Sequence, residues 1–260
     1  MINVIVPVNF SETSLNAAHY ATKMFAKKAE VNIILYHFYE SEQEILSSKN
    51  YLNSLRTELL SDCANIEIFI ESGNNFIDCL SAYAHVKRTY IIVMGSADKL
   101  LLKHRFTDLN TLKIAEKNVC PVLIIPSKAI YKGITNVLIA SEMKYIDETP
   151  VILAIKKILK DFESNLHILN VNDSHYIALT PEFKEARDRM EELLGDFKPE
   201  FYFMRLFNFF ESMNMFIEDK NIDMIIMGRR YHNFFEKLFR TQHTKEMIFQ
   251  SKVPVLVVHE

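Results

Sequence analysis

Glycine is scarce in this chain, with only five in 260 residues, at positions 73, 95, 133, 195 and 228. The closest pair, Gly73 and Gly95, stand 22 residues apart. A dinucleotide fingerprint, G-x-G-x-x-G, and a P-loop, G-x-x-x-x-G-K-[ST], are therefore both excluded, because each needs closely spaced glycines to bring backbone N–H groups onto phosphate. Cysteine is as sparse. Cys63, Cys79 and Cys120 form no C-x-x-C pair, which excludes a zinc ribbon and a disulfide framework and leaves reduced thiols. No apolar run approaches the roughly 20 residues that span a bilayer. The start, Met1-Ile2-Asn3-Val4-Ile5-Val6-Pro7, lacks the basic region and cleavage site of a signal peptide. A formal net charge of −3 gives no general attraction to nucleic acid or anionic membrane. The expectation is a cytoplasmic protein with neither nucleic-acid nor membrane partners.

With 49% hydrophobic and 24% charged residues, the composition is that of an ordinary globular protein. Five continuously apolar runs lie in the first half, at 2–8, 31–38, 66–70, 90–94 and 121–125. Continuous rather than alternating hydrophobicity suits strands buried on both faces of a parallel sheet. Ser11 is a plausible N-cap, and Leu15, Ala18, Thr22, Phe25 and Ala29 follow at helical spacing.

The second half repeats the first. Val4-Ile5-Val6 matches Val137-Leu138-Ile139, Ile33-Ile34-Leu35 matches Leu166-His167-Ile168, Met94-Gly95 matches Met227-Gly228, and Pro121-Val122-Leu123 matches Pro254-Val255-Leu256. The offset is 133 residues at all four anchors, the mark of a tandem duplication. Residues 1–128 and 135–260 are the expected domains, with 126–134 as linker. The expected fold class is α/β, two tandem doubly wound parallel five-stranded sheets. Such sheets bind ligands beyond the carboxyl ends of the strands where the winding reverses. That places Pro7, Val8 and Asn9 beside Met94, Gly95 and Ser96 in one half, and Ala140, Ser141 and Glu142 beside Met227, Gly228 and Arg229 in the other.

The segments "VIVPVNFSETSLNAAHYA", "ILYHF", "IIVMGS" and "CPVLIIP", with "VLIASEM", "LHILNV", "MIIMGRR" and "VPVLVVHE" in the second copy, resemble universal stress protein domains over essentially all of the chain. In members that bind ATP, the resemblance implies an aspartate after the first strand and a fourth-strand signature G-x2-G-x9-G-[ST]. Here Asn9 takes the aspartate position. Gly95 and Ser96 match, while Asp98 and Asp108 replace the second and third glycines and Leu109 replaces the Ser/Thr. In the second copy only Gly228 matches; Tyr231, Thr241 and Gln242 fill the remaining signature positions and Glu142 the aspartate position. Thr111 and Thr244 correspond, each expected at the start of a last helix.

A glycine in such a loop permits positive φ and close approach of backbone N–H to phosphate. A carboxylate about 5 Å from a phosphate costs roughly 3 kcal/mol at an effective dielectric near 20. Asp98 and Asp108 therefore argue for a loop that no longer holds a triphosphate. The expectation is a non-enzymatic stress-response regulator or scaffold with an unidentified protein partner and no cofactor. The alternative is a sensor that takes AMP or ATP through Pro7, Val8, Asn9, Phe38, Met94, Gly95, Ser96 and Thr111. From Arg229 to Lys245 the second copy carries a local charge of +4, so Gly228, Arg229, Arg230 and Thr244 are candidates for an anion site, against the simpler reading of a solvated basic loop. The nine histidines show no H-E-x-x-H and no cysteine at ligand spacing, and no G-x-S-x-G elbow or repeated carboxylate pair points to catalysis.

The resemblance also implies that the final strand lies at a sheet edge and pairs with its counterpart across a two-fold axis. Here both counterparts, Val122-Leu123-Ile124-Ile125 and Val255-Leu256-Val257-Val258, are on one chain, so an internal pseudo-dimer is expected, with a homodimer of the whole chain also open. Flat apolar edges left uncovered aggregate. Isolated residues 1–128 are thus expected to dimerise through that strand or precipitate. A soluble monomer with rapid amide exchange along 122–125 would contradict the pairing.

Overall fold

Continuous apolar runs become strands here because both sheet faces are covered by helices. In a computed structural model, residues 1–62, 65–96, 107–141, 150–172, 181–205, 209–229 and 251–259 are described. They fall into two units, Met1–Lys132 and Gly133–Glu260.

In the first unit the order is β1 (Ile2–Pro7), α1 (Glu12–Phe25), β2 (Val31–Phe38), α2 (Ile45–Leu59), β3 (Ile66–Glu71), α3 (Phe76–Val86), β4 (Ile91–Ser96), α4 (Thr107–Glu116) and β5 (Val122–Pro126). The strands lie in the order β3-β2-β1-β4-β5, and every pairing is parallel. The chain winds outward from β1 to β3 and then crosses back to β4, so the reversal falls between β1 and β4, as expected. Val4, Ile5, Val6, Ile33, Ile34, Leu35, Ile92, Val93, Leu123 and Ile124 are at most 1% exposed and form the sheet's core.

Two local features differ from the sequence expectation. The fourth strand runs through Gly95 and Ser96, which pair with Ile125 and Pro126 of β5, so both belong to the sheet and not to a loop. Helix α1 stops at Phe25, leaving Ala29 exposed beyond it. Its buried face is Ala17, Ala18, Ala21, Thr22, Met24 and Phe25, a stripe at the spacing helices use against sheets.

The second unit repeats the plan with β6 (Asn136–Ser141), α5 (Pro150–Phe162), β7 (Asn165–Asn172), α6 (Pro181–Leu194), β8 (Glu200–Arg205), α7 (Phe209–Asp219), β9 (Met224–Arg229) and β10 (Val255–His259). Its strands lie in the order β8-β7-β6-β9-β10, again all parallel. Gly133, which opens this unit, has φ of 118°, a conformation that favours glycine.

Just before β5, Cys120 keeps some residue surface, but burial of the thiol pushes its pKa up to about 12. Only the thiolate is nucleophilic. At neutral pH an aromatic disulfide reagent is expected to modify Cys120 only after the protein unfolds. Rapid native labelling, located by peptide mass, would contradict this.

Candidate functional site

The turn from β1 into α1 is organised by side chains rather than by glycine. The Asn9 Oδ1 accepts from the Ser11 N–H at 3.2 Å and from the Ser11 hydroxyl at 2.6 Å. Ser11 in turn caps α1, its Oγ accepting from the Ser14 N–H at 3.3 Å. The Ser14 hydroxyl donates to the Ser11 carbonyl at 2.9 Å and accepts from the Asn9 N–H at 3.3 Å. Between them Phe10 takes φ of 61°, a region that costs an L-residue roughly 1–2 kcal/mol. Its ring lies 4.8 Å from His37 and 5.5 Å from Tyr51, contacts that help hold the strained turn. His37 is a buried, hydrogen-bonded core residue, as its mid-strand position suggests, and its Nδ1–H donates to the Val8 carbonyl at 2.7 Å.

Gly95 has a packing reason. A Cβ there would stand 2.2 Å from the Thr13 carbonyl oxygen and 2.5 Å from its carbon. The first turn of α1 is thus seated directly on β4, which a side chain would prevent. Positive φ, the other use of glycine, plays no part at this position.

Around this turn lies a cavity of about 200 Å³, lined by Pro7, Val8, Asn9, Ser11, Thr13, Ser14, Tyr36, Phe38, Glu40, Phe76, Met94, Gly95, Asn110 and Thr111. The expected Pro7, Val8, Asn9, Phe38, Met94, Gly95 and Thr111 therefore converge. Thr111 is buried in α4, and its hydroxyl donates to the Gly95 carbonyl at 3.4 Å. Ser96 is 2% exposed at the end of β4 and is not part of the lining. Asp108 falls in α4, with its side chain outside the described residues, and Asp98 lies outside them altogether. Sequence reasoning passed over Tyr36, Glu40, Phe76, Thr13, Ser14 and Asn110. The first three follow strand β2 and the start of α3, where alternation along "LYHF" could have shown that Tyr36 and Phe38 share a face.

The walls are aromatic and the charge is acidic. Phe38 meets Phe76 edge-on at 6.0 Å, and Tyr36 lies 6.3 Å from Phe76. The Tyr36 hydroxyl donates to Glu71 at 2.8 Å; burial, with that carboxylate second, raises its pKa well beyond the usual range. Tyr36 is thus a fixed neutral donor and not a proton shuttle. Among the described lining residues Glu40 is the one carboxylate, and none is Lys, Arg or His.

In the second unit, Gly228 and Arg229 end β9 beside Val258 and His259 of β10, whereas Arg230 and Thr244 lie outside the described residues. At the opposite, amino ends of β6, β7 and β8 is a wider cavity of about 760 Å³ that includes Asn136, Asn165, His167 and Glu200. The Asn136 Oδ1 accepts from the Asn165 amide at 3.1 Å and faces the His167 Nε2 at 3.5 Å. His167 Nδ1 is 3.7 Å from Glu200. Burial nevertheless wins over that carboxylate and lowers the histidine pKa, so the pair is a neutral imidazole beside an anion. Among the described residues no three His, Cys, Asp or Glu could hold a metal, and no helix is long and apolar enough to cross a membrane.

The universal stress protein family's model matches residues 210–259. A universal stress protein from Archaeoglobus fulgidus DSM 4304 superposes with a TM-score of 0.70 at 18% identity, over 99% of this chain and 96% of that one. A putative universal stress protein from Pseudomonas aeruginosa UCBPP-PA14 gives 0.66 at 12% identity, over 99% and 92%. The cytoplasmic domain of a prokaryotic cation chloride cotransporter gives 0.56 at 11%, over 98% and 94%. No curated protein matches the chain in sequence.

Two outcomes test this geometry. Asn9→Ala removes the acceptor that organises the turn and is expected to cost about 1 kcal/mol in denaturant unfolding, while Asn9→Asp keeps the acceptor and stays near wild type. Equal stability of Ala and Asp variants would show the turn is held otherwise. Because the native pKa of His167 lies below its unfolded value of about 6.5, the unfolded chain takes up the proton first. Stability is therefore complete above that value, falls as pH drops through it, and levels off once the native imidazole protonates. His167→Gln should lose this step in thermal unfolding between pH 7.5 and 5.5; an unchanged profile would contradict it.

Over 99% of its length the chain shares its fold with a universal stress protein, and residues 210–259 match that family's model.

Proposed function

We propose that this universal stress protein-like chain is a non-enzymatic regulator or scaffold that acts by binding, and that its first-unit cavity does not hold a nucleoside triphosphate tightly. The observation that carries this reading is the lining itself. Its one described carboxylate, that of the exposed Glu40, has the same sign as a phosphate, and no described Lys, Arg or His lines it. Asn9 Oδ1, Ser11 and Ser14 are already engaged with one another. At about 200 Å³ the cavity is smaller than the roughly 300 Å³ at which drug-sized ligand sites begin.

A second reading, a sensor for a smaller adenine nucleotide, is favoured by the convergence of Asn9, Phe38, Gly95 and Thr111 on one cavity. An anion held at Gly228 and Arg229 in the second unit is a further site for such a ligand.

Calorimetric titration of ATP and AMP into the full chain separates these readings. No saturable heat with ATP up to millimolar concentration is expected. A micromolar Kd, about −8 kcal/mol, would overturn the first reading, and saturable binding of AMP alone would favour the second.

A further inference from the structure

Strand β3 stands last in the strand order of the first unit, and its free side has a defined chemistry. The Ile33 N–H donates to the Asn65 carbonyl and the Tyr39 N–H to the Glu71 carbonyl. By the alternation of a parallel ladder, odd-numbered residues turn their backbone groups toward β2, and Ile66, Ile68 and Ile70 turn theirs outward. The side chains of those isoleucines line a groove of about 670 Å³ whose other wall is Lys49, Asn53 and Arg56 of α2. On α2 the positions 46, 49, 53 and 56 share one face by their three- and four-residue spacing, and the C-cap Leu60 follows on from it. Leu46 near the start of the helix and the C-cap Leu60 are apolar and open, 72% and 41% exposed. One carboxylate, Glu67, also borders the groove, but it is engaged by Asn32 at 3.1 Å and Lys87 at 3.4 Å. The groove thus combines outward backbone donors and acceptors, an apolar floor, and two exposed cations.

We propose that this groove docks an extended acidic segment of a partner protein, which adds a strand beside β3 and sets its carboxylates against Lys49 and Arg56. Edge strands of this kind are templates for an incoming chain, with backbone bonds supplying affinity and alternate side chains supplying choice. A second copy presenting the same face would bring Lys49 and Arg56 toward their own kind, so charge favours a partner of opposite sign. This inference is independent of the cavity beside Asn9.

The test uses the full chain with two labelled peptides, one of alternating Val and Glu and one of alternating Val and Lys. In fluorescence anisotropy the acidic peptide is expected to bind at least about tenfold tighter, a difference that rests on charge. Lys49→Glu with Arg56→Glu should invert the preference. In amide exchange, the N–H groups of Ile66, Ile68 and Ile70 should gain protection on binding while those of Glu67 and Phe69 stay unchanged. Equal affinities for the two peptides, or no such alternation in protection, would overturn the proposal. Protection of the same amides in a peptide-free dimer would overturn it too, assigning the groove to a second copy.

Discussion

Much of the first unit depends on one close approach, the Thr13 carbonyl against the bare α-carbon of Gly95. Seating α1 this deeply brings its buried stripe, from Ala17 to Phe25, onto the sheet. It also fixes where the β1–α1 turn must run. That turn is tight enough to force Phe10 into the left-handed region, and the hydrogen bonds of Asn9, Ser11 and Ser14 hold it there. The cavity beside the turn is therefore shaped by helix packing before any ligand is considered.

This changes the meaning of two residues. Asn9 and Gly95 occupy positions that, in related domains, suggest nucleotide recognition. Each has a sufficient structural role here, one capping the turn and the other admitting the helix. What the cavity retains for a ligand is an aromatic wall of Phe38 and Phe76, a ring of hydroxyl and amide side chains, and the carboxylate of Glu40. Glu40 is exposed, and its carboxylate has the same sign as a phosphate, so it offers an anion no attraction. Working surfaces outside the cavity thereby become more important, and the exposed edge at β3 offers one.

The layout was legible because buried parallel strands leave an unambiguous trace. Continuous runs such as "VNIILYHF" appear as β2 with the same bounds, and the Ser11 cap was readable from its hydroxyl ahead of an amphipathic run. The sequence places Gly95 at the end of the fourth apolar run but does not say what the glycine is for. Nothing local distinguishes a glycine needed for φ from one needed for clearance, since the obstacle, Thr13, is 82 residues away in sequence. The same holds for Glu40 and Phe76, which reach the cavity through the sheet's winding, and for the lowered pKa of His167, which arises from burial that its neighbours along the chain do not reveal.

The seating of α1 on β4 is most directly tested by denaturant unfolding of Gly95→Ala. The added methyl must displace a backbone carbonyl rather than a flexible side chain, so a loss of about 1–3 kcal/mol is expected, as for overpacked cores. That loss should be the same with and without adenine nucleotide. Wild-type stability in the variant, or a defect confined to nucleotide binding, would contradict the view that packing alone requires this glycine.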